Sequence, residues 1–268
     1  MISSHCIIQS MIIMPLSGLR ISMNNNFPDI NRKMVAQLID PDKFSDESLA
    51  VTASNASEAK VDLYLAGGSL TSTPVDYLIN KIRQVSSIPV VLFPGNLIQL
   101  TASADAIFLL SLISGRNPEL LIGNHVLAAP FLKQVRERII PVGYILVNCG
   151  GHTSVEYMSQ TAPVPYDKND IAVATALAGE MLGMKAIYLE GGSGALKPVS
   201  REMIKAVKSE ITVPLITGGG LNTPEKIGDA FSSGADMVVI GNGCEKDPLL
   251  IFDACRIRDD YNRRNIIT

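Results

Sequence analysis

From Met34 onward, short apolar runs alternate with longer stretches whose apolar positions recur every three or four residues. The apolar runs are MVAQLI (34–39), VDLYLA (61–66), IPVVLF (88–93), AIFLL (106–110), PVGYILV (141–147), KAIYLE (185–190), VPLIT (213–217) and DMVVIG (236–241). A strand that is apolar on both faces must be buried on both, as in a parallel sheet covered by helices. The intervening segments, among them DESLAVTASNASEA (46–59), VDYLINKIRQVS (75–86), PELLIGNHVLAAPFLKQVRE (118–137), DIAVATALAGEMLG (170–183), REMIKAVKSE (201–210) and PEKIGDAFSSG (224–234), read as the covering helices. Eight such strands predict an α/β fold, a single closed (β/α)8, TIM-like barrel. An open doubly wound sheet is the alternative, but no GxGxxG turn follows the first strand and no acidic residue is spaced to clamp a ribose. The third unit departs from the rhythm: only PGNLIQLTASA (94–104) separates strands three and four, too little for a full helix, so the barrel is expected to be modified there.

The first residues break the pattern. Residues 1–31 are rich in Ile, Met, Ser and Asn, and their apolar run is interrupted by Gln9, Ser10 and Pro15, too short and broken to span a bilayer. No Lys or Arg precedes Arg20, so the positive start of a signal peptide is missing. This segment is expected to be a flexible, disordered extension, with the barrel domain occupying 32–268. The net charge of −3 and the lack of a Lys/Arg run argue against a nucleic-acid partner. Four cysteines, Cys6, Cys149, Cys244 and Cys255, form no CxxC or Cys/His ligand spacing, which points to reduced thiols and a cytoplasmic location.

In a barrel of this kind the ligand sits at the C-terminal strand ends, and phosphate commonly binds the loops after strands seven and eight. Both of those loops are glycine turns: TGGGLNTPEKI (217–227), with Thr223 as helix N-cap and Pro224 at the first helical position, and VIGNG (239–243), with Asp247-Pro248 expected to open the next helix. Glycines let backbone N–H groups approach an anion, although a tight strand-to-helix turn would favour them too. Asp40 ends the first strand and Ser69 the second, so a carboxylate and a hydroxyl could face one site; one or two oxygen ligands, completed by water and substrate phosphates, suit Mg²⁺. Tyr188 and Glu190 lie two apart on the sixth strand and share a face, with Glu190 a candidate base at the mouth.

The motifs LIDPDK (38–43), GGS (67–69), YLEGGSG (188–194), TGGG (217–220) and VIGNG (239–243), in that order, resemble the geranylgeranylglyceryl phosphate synthase family, called PcrB-like in bacteria, over about residues 34–260. Stretches 108–130 and 170–194 resemble the second of its two groups. The resemblance implies an ether-forming prenyltransferase of lipid biosynthesis on a barrel that lacks its third helix. It joins sn-glycerol 1-phosphate to a polyprenyl diphosphate, geranylgeranyl being expected and heptaprenyl the nearest competitor, with Mg²⁺ as cofactor. Carried over by position, Asp40 and Ser69 would hold the metal. Tyr188, Leu189, Glu190, Gly191, Gly192, Ser193, Gly194, Gly219, Gly220, Gly241 and Asn242 would hold the glycerol phosphate, with Glu190 and Tyr188 catalytic. The resemblance also implies a homo-oligomer and peripheral membrane contact through the lipid product. One departure stands out: the first group carries a Lys two residues before the metal Asp, and here that residue is Leu38. A phosphosugar-type isomerase or lyase barrel is the other reading, separable by metal dependence. The prenyl chain would need an apolar slot beside strands two to four, for which Leu92, Phe93, Leu97 and Ile98 are candidates, though barrel core explains them equally well.

Overall fold

The computed structural model describes residues 32–266. The expected N-terminal extension, 1–31, lies outside the described residues. Eight parallel strands, β1 (Met34–Ile39), β2 (Leu63–Ala66), β3 (Val90–Leu92), β4 (Ala106–Leu112), β5 (Ile139–Leu146), β6 (Ala186–Glu190), β7 (Leu215–Gly218) and β8 (Met237–Ile240), close into a barrel in sequence order, with β8 pairing β1 through Met34–Met237 to Gln37–Ile240. Helices α1 (Asp46–Ala59), α2 (Val75–Val85), α3 (Asn124–Leu132), α4 (Ser154–Ser159), α5 (Asn169–Met181), α6 (Arg201–Glu210), α7 (Pro224–Ser232), α8 (Asn242–Lys246) and α9 (Leu250–Ile266) connect the strands or cover them.

Strand alternation sorts the core into two sets. Met34, Ala36, Leu63, Leu65, Phe108, Tyr144, Tyr188 and Val239 pack with one another inside the barrel. The residues between them, such as Val35, Tyr64, Ile145, Leu189 and Val238, pack outward against the helices. Three helices, α1, α6 and α7, start where the sequence provides a cap: Ser45, Ser200 and Thr223 accept N–H bonds from residues three positions on.

The N-terminal face of the barrel is closed by buried ion pairs. Asp62 accepts from Val35 N at 2.8 Å and from Arg258 Nη1 at 2.7 Å, and Arg258 also bonds the Lys60 carbonyl, tying α9 to the start of β2. Asp236 binds Lys208 at 2.6 Å and the Leu215 N–H at 2.8 Å. Charges this deep are tolerated because every one has partners.

The third unit is short as expected: a single 3-10 turn, Leu97–Gln99, joins β3 to β4. Three details differ from the sequence reading. β3 is only three residues long, because Pro89 has no N–H to give to the ladder. The stretch after β4 is not one helix but a π turn (Glu119–Gly123), α3 and a 3-10 segment (Lys133–Arg138), with Pro130 inside α3. After β8 a helix begins at once with α8, and α9 starts at Leu250, two residues beyond Pro248. No helix among the described residues is long and apolar enough to cross a membrane.

Candidate active site

The barrel opens at the C-terminal strand ends into a cavity of about 390 Å³. Because β6, β7, β8, β1 and β2 are consecutive neighbours around the ring, their loops form one continuous arc of its wall. Ser193 and Gly194 come from β6, Gly219 and Gly220 from β7, Gly241 and Asn242 from β8, Asp40 from β1 and Ser69 from β2. Glu190, Tyr188, Tyr144 and Phe93 also line it, at the ends of strands whose inward residues alternate in phase.

Glu190 is the buried acid of the site, 7% exposed. Its Oε1 accepts from the Gly192 N–H at 2.5 Å. Burial raises its proton affinity above the ordinary value of 4.5, while the Gly192 N–H and the hydroxyls of Tyr188 and Tyr144 pull the other way. Those two phenols are themselves pushed well above their usual range by burial first and by the Glu190 charge second, so they remain neutral donors. Tyr144 and Tyr188 are register partners on β5 and β6, and their rings stack with centroids 5.3 Å apart. Gly219 has φ +83°, and a Cβ there would come 2.7 Å from both Glu190 Oε1 and Gly192 N. The TGGG turn therefore needs glycine for the close approach of the β7 loop to this carboxylate.

Across the arc, the two aspartates of IDPDK divide their tasks. Asp42 Oδ2 and Oδ1 accept from the Ser72 and Thr73 N–H groups, each at 2.7 Å, which holds its carboxyl down to about 2. Both oxygens are thus committed to the loop that enters α2. Among the described residues the Asp40 carboxylate accepts only the Asp42 N–H, at 3.1 Å, and its Oδ2 lies over Gly68, where a Cβ would stand 3.1 Å away. Lys43 Nζ sits 3.7 Å from the same Oδ2 and bonds Asn242 Oδ1 and Glu245 Oε1, each at 3.1 Å. Asn242 Nδ2 in turn donates to Ser193 Oγ at 3.1 Å, so a polar chain runs from β1 over β8 to the β6 loop.

Among the described residues no group of three or more His, Cys, Asp or Glu is assembled around a metal position. One carboxylate over a glycine, beside the Ser69 hydroxyl in the same cavity, fits a hard cation that takes its remaining oxygens from water and substrate. Most of the residues expected in the site do line it, but two do not. Leu189 points outward into the barrel–helix layer, and Gly191 gives its N–H to the Gly218 carbonyl at 2.9 Å and packs near Cys149. Of the suggested slot residues, Leu92 is buried on the outward face and Phe93 belongs to the barrel interior; Ile98, 95% exposed, is the one fully open to solvent. Tyr144 joins the site beyond the residues expected above; period-two counting along GYIL puts it inward, level with Tyr188.

A closed barrel whose sixth, seventh and eighth strand ends converge glycine turns on one cavity has the form of the phosphate-binding (β/α)8 enzymes. The chain belongs to the PcrB family, whose sequence profile matches residues 28–256. It is 48% identical over 236 residues to a geranylgeranylglyceryl phosphate synthase of Spirosoma linguale, an alignment covering 87% of this chain and 94% of that one. A protein of the same name from Chitinophaga pinensis is 47% identical over 85% of this chain and 92% of its own. Among solved structures it resembles, with a TM-score of 0.83 and 29% identity over 89% of this chain and 98% of the other, the (S)-3-O-geranylgeranylglyceryl phosphate synthase from Thermoplasma acidophilum in complex with sn-glycerol-1-phosphate.

Proposed function

We propose that this enzyme joins the C3 hydroxyl of sn-glycerol 1-phosphate to C1 of geranylgeranyl diphosphate, releasing diphosphate, with Mg²⁺ as cofactor. The observation that carries the reading is Glu190: a buried carboxyl of raised proton affinity, bordered by the glycine turns of β6 and β7, across the cavity from Asp40.

The glycine loops would bind the acceptor phosphate, leaving the glycerol hydroxyl near Glu190. The C3–O to C1 bond forms as the C1–O bond to diphosphate breaks, and the hydroxyl proton passes to the Glu190 carboxylate, which the Gly192 N–H holds in place through Oε1. General-base help of this kind is worth roughly 10² to 10⁴ in rate. Mg²⁺ held by Asp40 and Ser69 would stabilise the charge developing on the leaving diphosphate. Tyr144 and Tyr188, neutral and stacked, hold the carboxylate in place and keep water from its inner side.

The prenyl chain would leave the cavity beside Asp40 and Ser69, over exposed apolar side chains. Leu70, next to Ser69, is 67% exposed, and the β3 loop that carries Ile98 touches the β2 loop, since a Cβ on Gly95 would lie 3.0 Å from Ser69 Cα. With only a 3-10 turn after β3, no full helix covers this side. The test is a donor series from ten to thirty-five carbons, with and without Mg²⁺. The reading expects the highest kcat/KM for geranylgeranyl diphosphate and its loss on chelation. A preference for heptaprenyl diphosphate would correct the donor, and undiminished turnover without divalent metal would remove the metal.

A further inference from the structure

Two phosphorylated substrates bring several negative charges into a cavity whose buried acid is Glu190 and whose mouth holds Asp40 and Glu245. The glycine turns supply N–H dipoles but no full positive charge. Leu38, the inward residue of β1 nearest the cradle, offers only hydrocarbon and lies 3.4 Å from where a Cβ on Gly241 would be. Among the described residues, the cations that line the cavity are Lys43 and Lys246.

Resting on the proposed reaction, we propose that Lys43 is the cationic arm of the acceptor-phosphate site, a positioning and specificity residue that supplies the charge the glycine turns lack. Its turn is fixed by a Lys43 N–H to Asp40 carbonyl bond of 3.1 Å. Its ammonium is aimed by Asn242 Oδ1 and Glu245 Oε1, both at 3.1 Å, and Asn242 is itself braced by Ser193. An ammonium has three donors. Two are engaged, and Asp40 Oδ2, at 3.7 Å, is beyond hydrogen-bond length, so one donor remains for an incoming oxygen. The anchor matters as much as the count. Asn242 follows Gly241 in the β8 turn, so the charge is delivered next to the backbone that cradles the phosphate. A partly exposed Lys43–Glu245 pair taken as a surface ion pair alone would leave ligand affinity unchanged when lost, and that difference makes the assignment testable.

The experiment titrates sn-glycerol 1-phosphate, and separately inorganic phosphate, into the full chain by calorimetry. Wild type is compared with Lys43→Met, Lys43→Arg and Lys246→Met, and a thermal melt and KM are recorded for each. A charged hydrogen bond to phosphate corresponds to roughly 10- to 100-fold in affinity. Lys43→Met is expected to weaken both ligands and raise the acceptor KM by about that factor, with an unchanged melt, and Lys43→Arg is expected to recover most of it. Unchanged affinity in Lys43→Met overturns the proposal. So does a loss accompanied by a lowered melt and no recovery in Lys43→Arg, or a loss that appears in Lys246→Met instead. If wild type binds inorganic phosphate but not sn-glycerol 1-phosphate, the acceptor assignment fails, and the lysine is judged on phosphate alone.

Discussion

The Gly192 N–H donates to Glu190 Oε1 at 2.5 Å, so the loop leaving β6 folds back onto the carboxylate that ends the strand. One oxygen is thereby fixed, and the hydroxyls of Tyr144 and Tyr188 act on the same carboxylate. Replacing Glu190 with Gln keeps an acceptor for Gly192 but removes the base. Glu190→Gln is expected to lose roughly 10² to 10⁴ in kcat, while the calorimetric affinity for sn-glycerol 1-phosphate stays within a few-fold. Single-turnover rates equal to wild type would remove Glu190 from proton transfer.

The same substitution has a stability signature. A carboxyl whose folded-state pKa is raised is most favourable to folding when protonated, and that contribution disappears as pH rises through the folded value. At pH 7–8 wild type therefore bears the cost of a buried charge that Glu190→Gln does not. The variant is expected to melt higher there, and the gap should close below the ordinary carboxylate value of 4.5. Parallel melting curves across that range would show that Glu190 is not buried as a charge.

Tyr144 works on this equilibrium from the neighbouring strand. Its hydroxyl lowers the proton affinity of Glu190, so Tyr144→Phe is expected to raise it. In a pH–kcat profile the rising limb should move to higher pH, with the plateau nearly kept. A shift to lower pH, or none, would detach Tyr144 from the carboxylate.

Much of this was legible in the sequence, and the reason is periodicity. Eight apolar runs at regular spacing gave the barrel, and residues at strand ends necessarily gather at its mouth, which brought Asp40, Ser69, Glu190 and the glycine turns together. What escaped was direction and company. Leu189 lies between two site residues in the sequence, yet strand alternation turns it away. Gly191 belongs to the glycine run but spends its N–H on Gly218. Lys43 stood in view in IDPDK, but its contacts with Asn242 and Glu245 span about two hundred residues and exist only because β1 pairs β8. Helix punctuation is ambiguous for a related reason: Pro248 does mark a boundary, but α8 fits in before it.

Asp40 and Asp42 should separate cleanly. Asp42 holds Ser72 and Thr73, whereas Asp40 is nearly free of protein donors. Asp40→Ala is expected to raise the Mg²⁺ concentration needed for half-maximal turnover at least tenfold with little change in melting. Asp42→Ala should instead lower the melting temperature through the lost loop bonds and leave the metal titration near wild type. The reverse pattern would exchange their roles.

The opposite face of the barrel should affect folding alone. Arg258, 4% exposed, pairs with Asp62 and bonds Lys60. Removing one partner of a buried pair costs about 3 kcal/mol or more. Arg258→Met is expected to show that loss in denaturant melts while the KM for either substrate is unchanged.

The proposed reaction is decided by offering geranylgeranyl diphosphate and Mg²⁺ to the purified chain with sn-glycerol 1-phosphate and, separately, with its 3-phosphate enantiomer, and following the ether product by mass spectrometry. Geranylgeranylglyceryl phosphate is expected from the 1-phosphate, with the enantiomer far poorer. Absence of product from both, across the donor series, would contradict it.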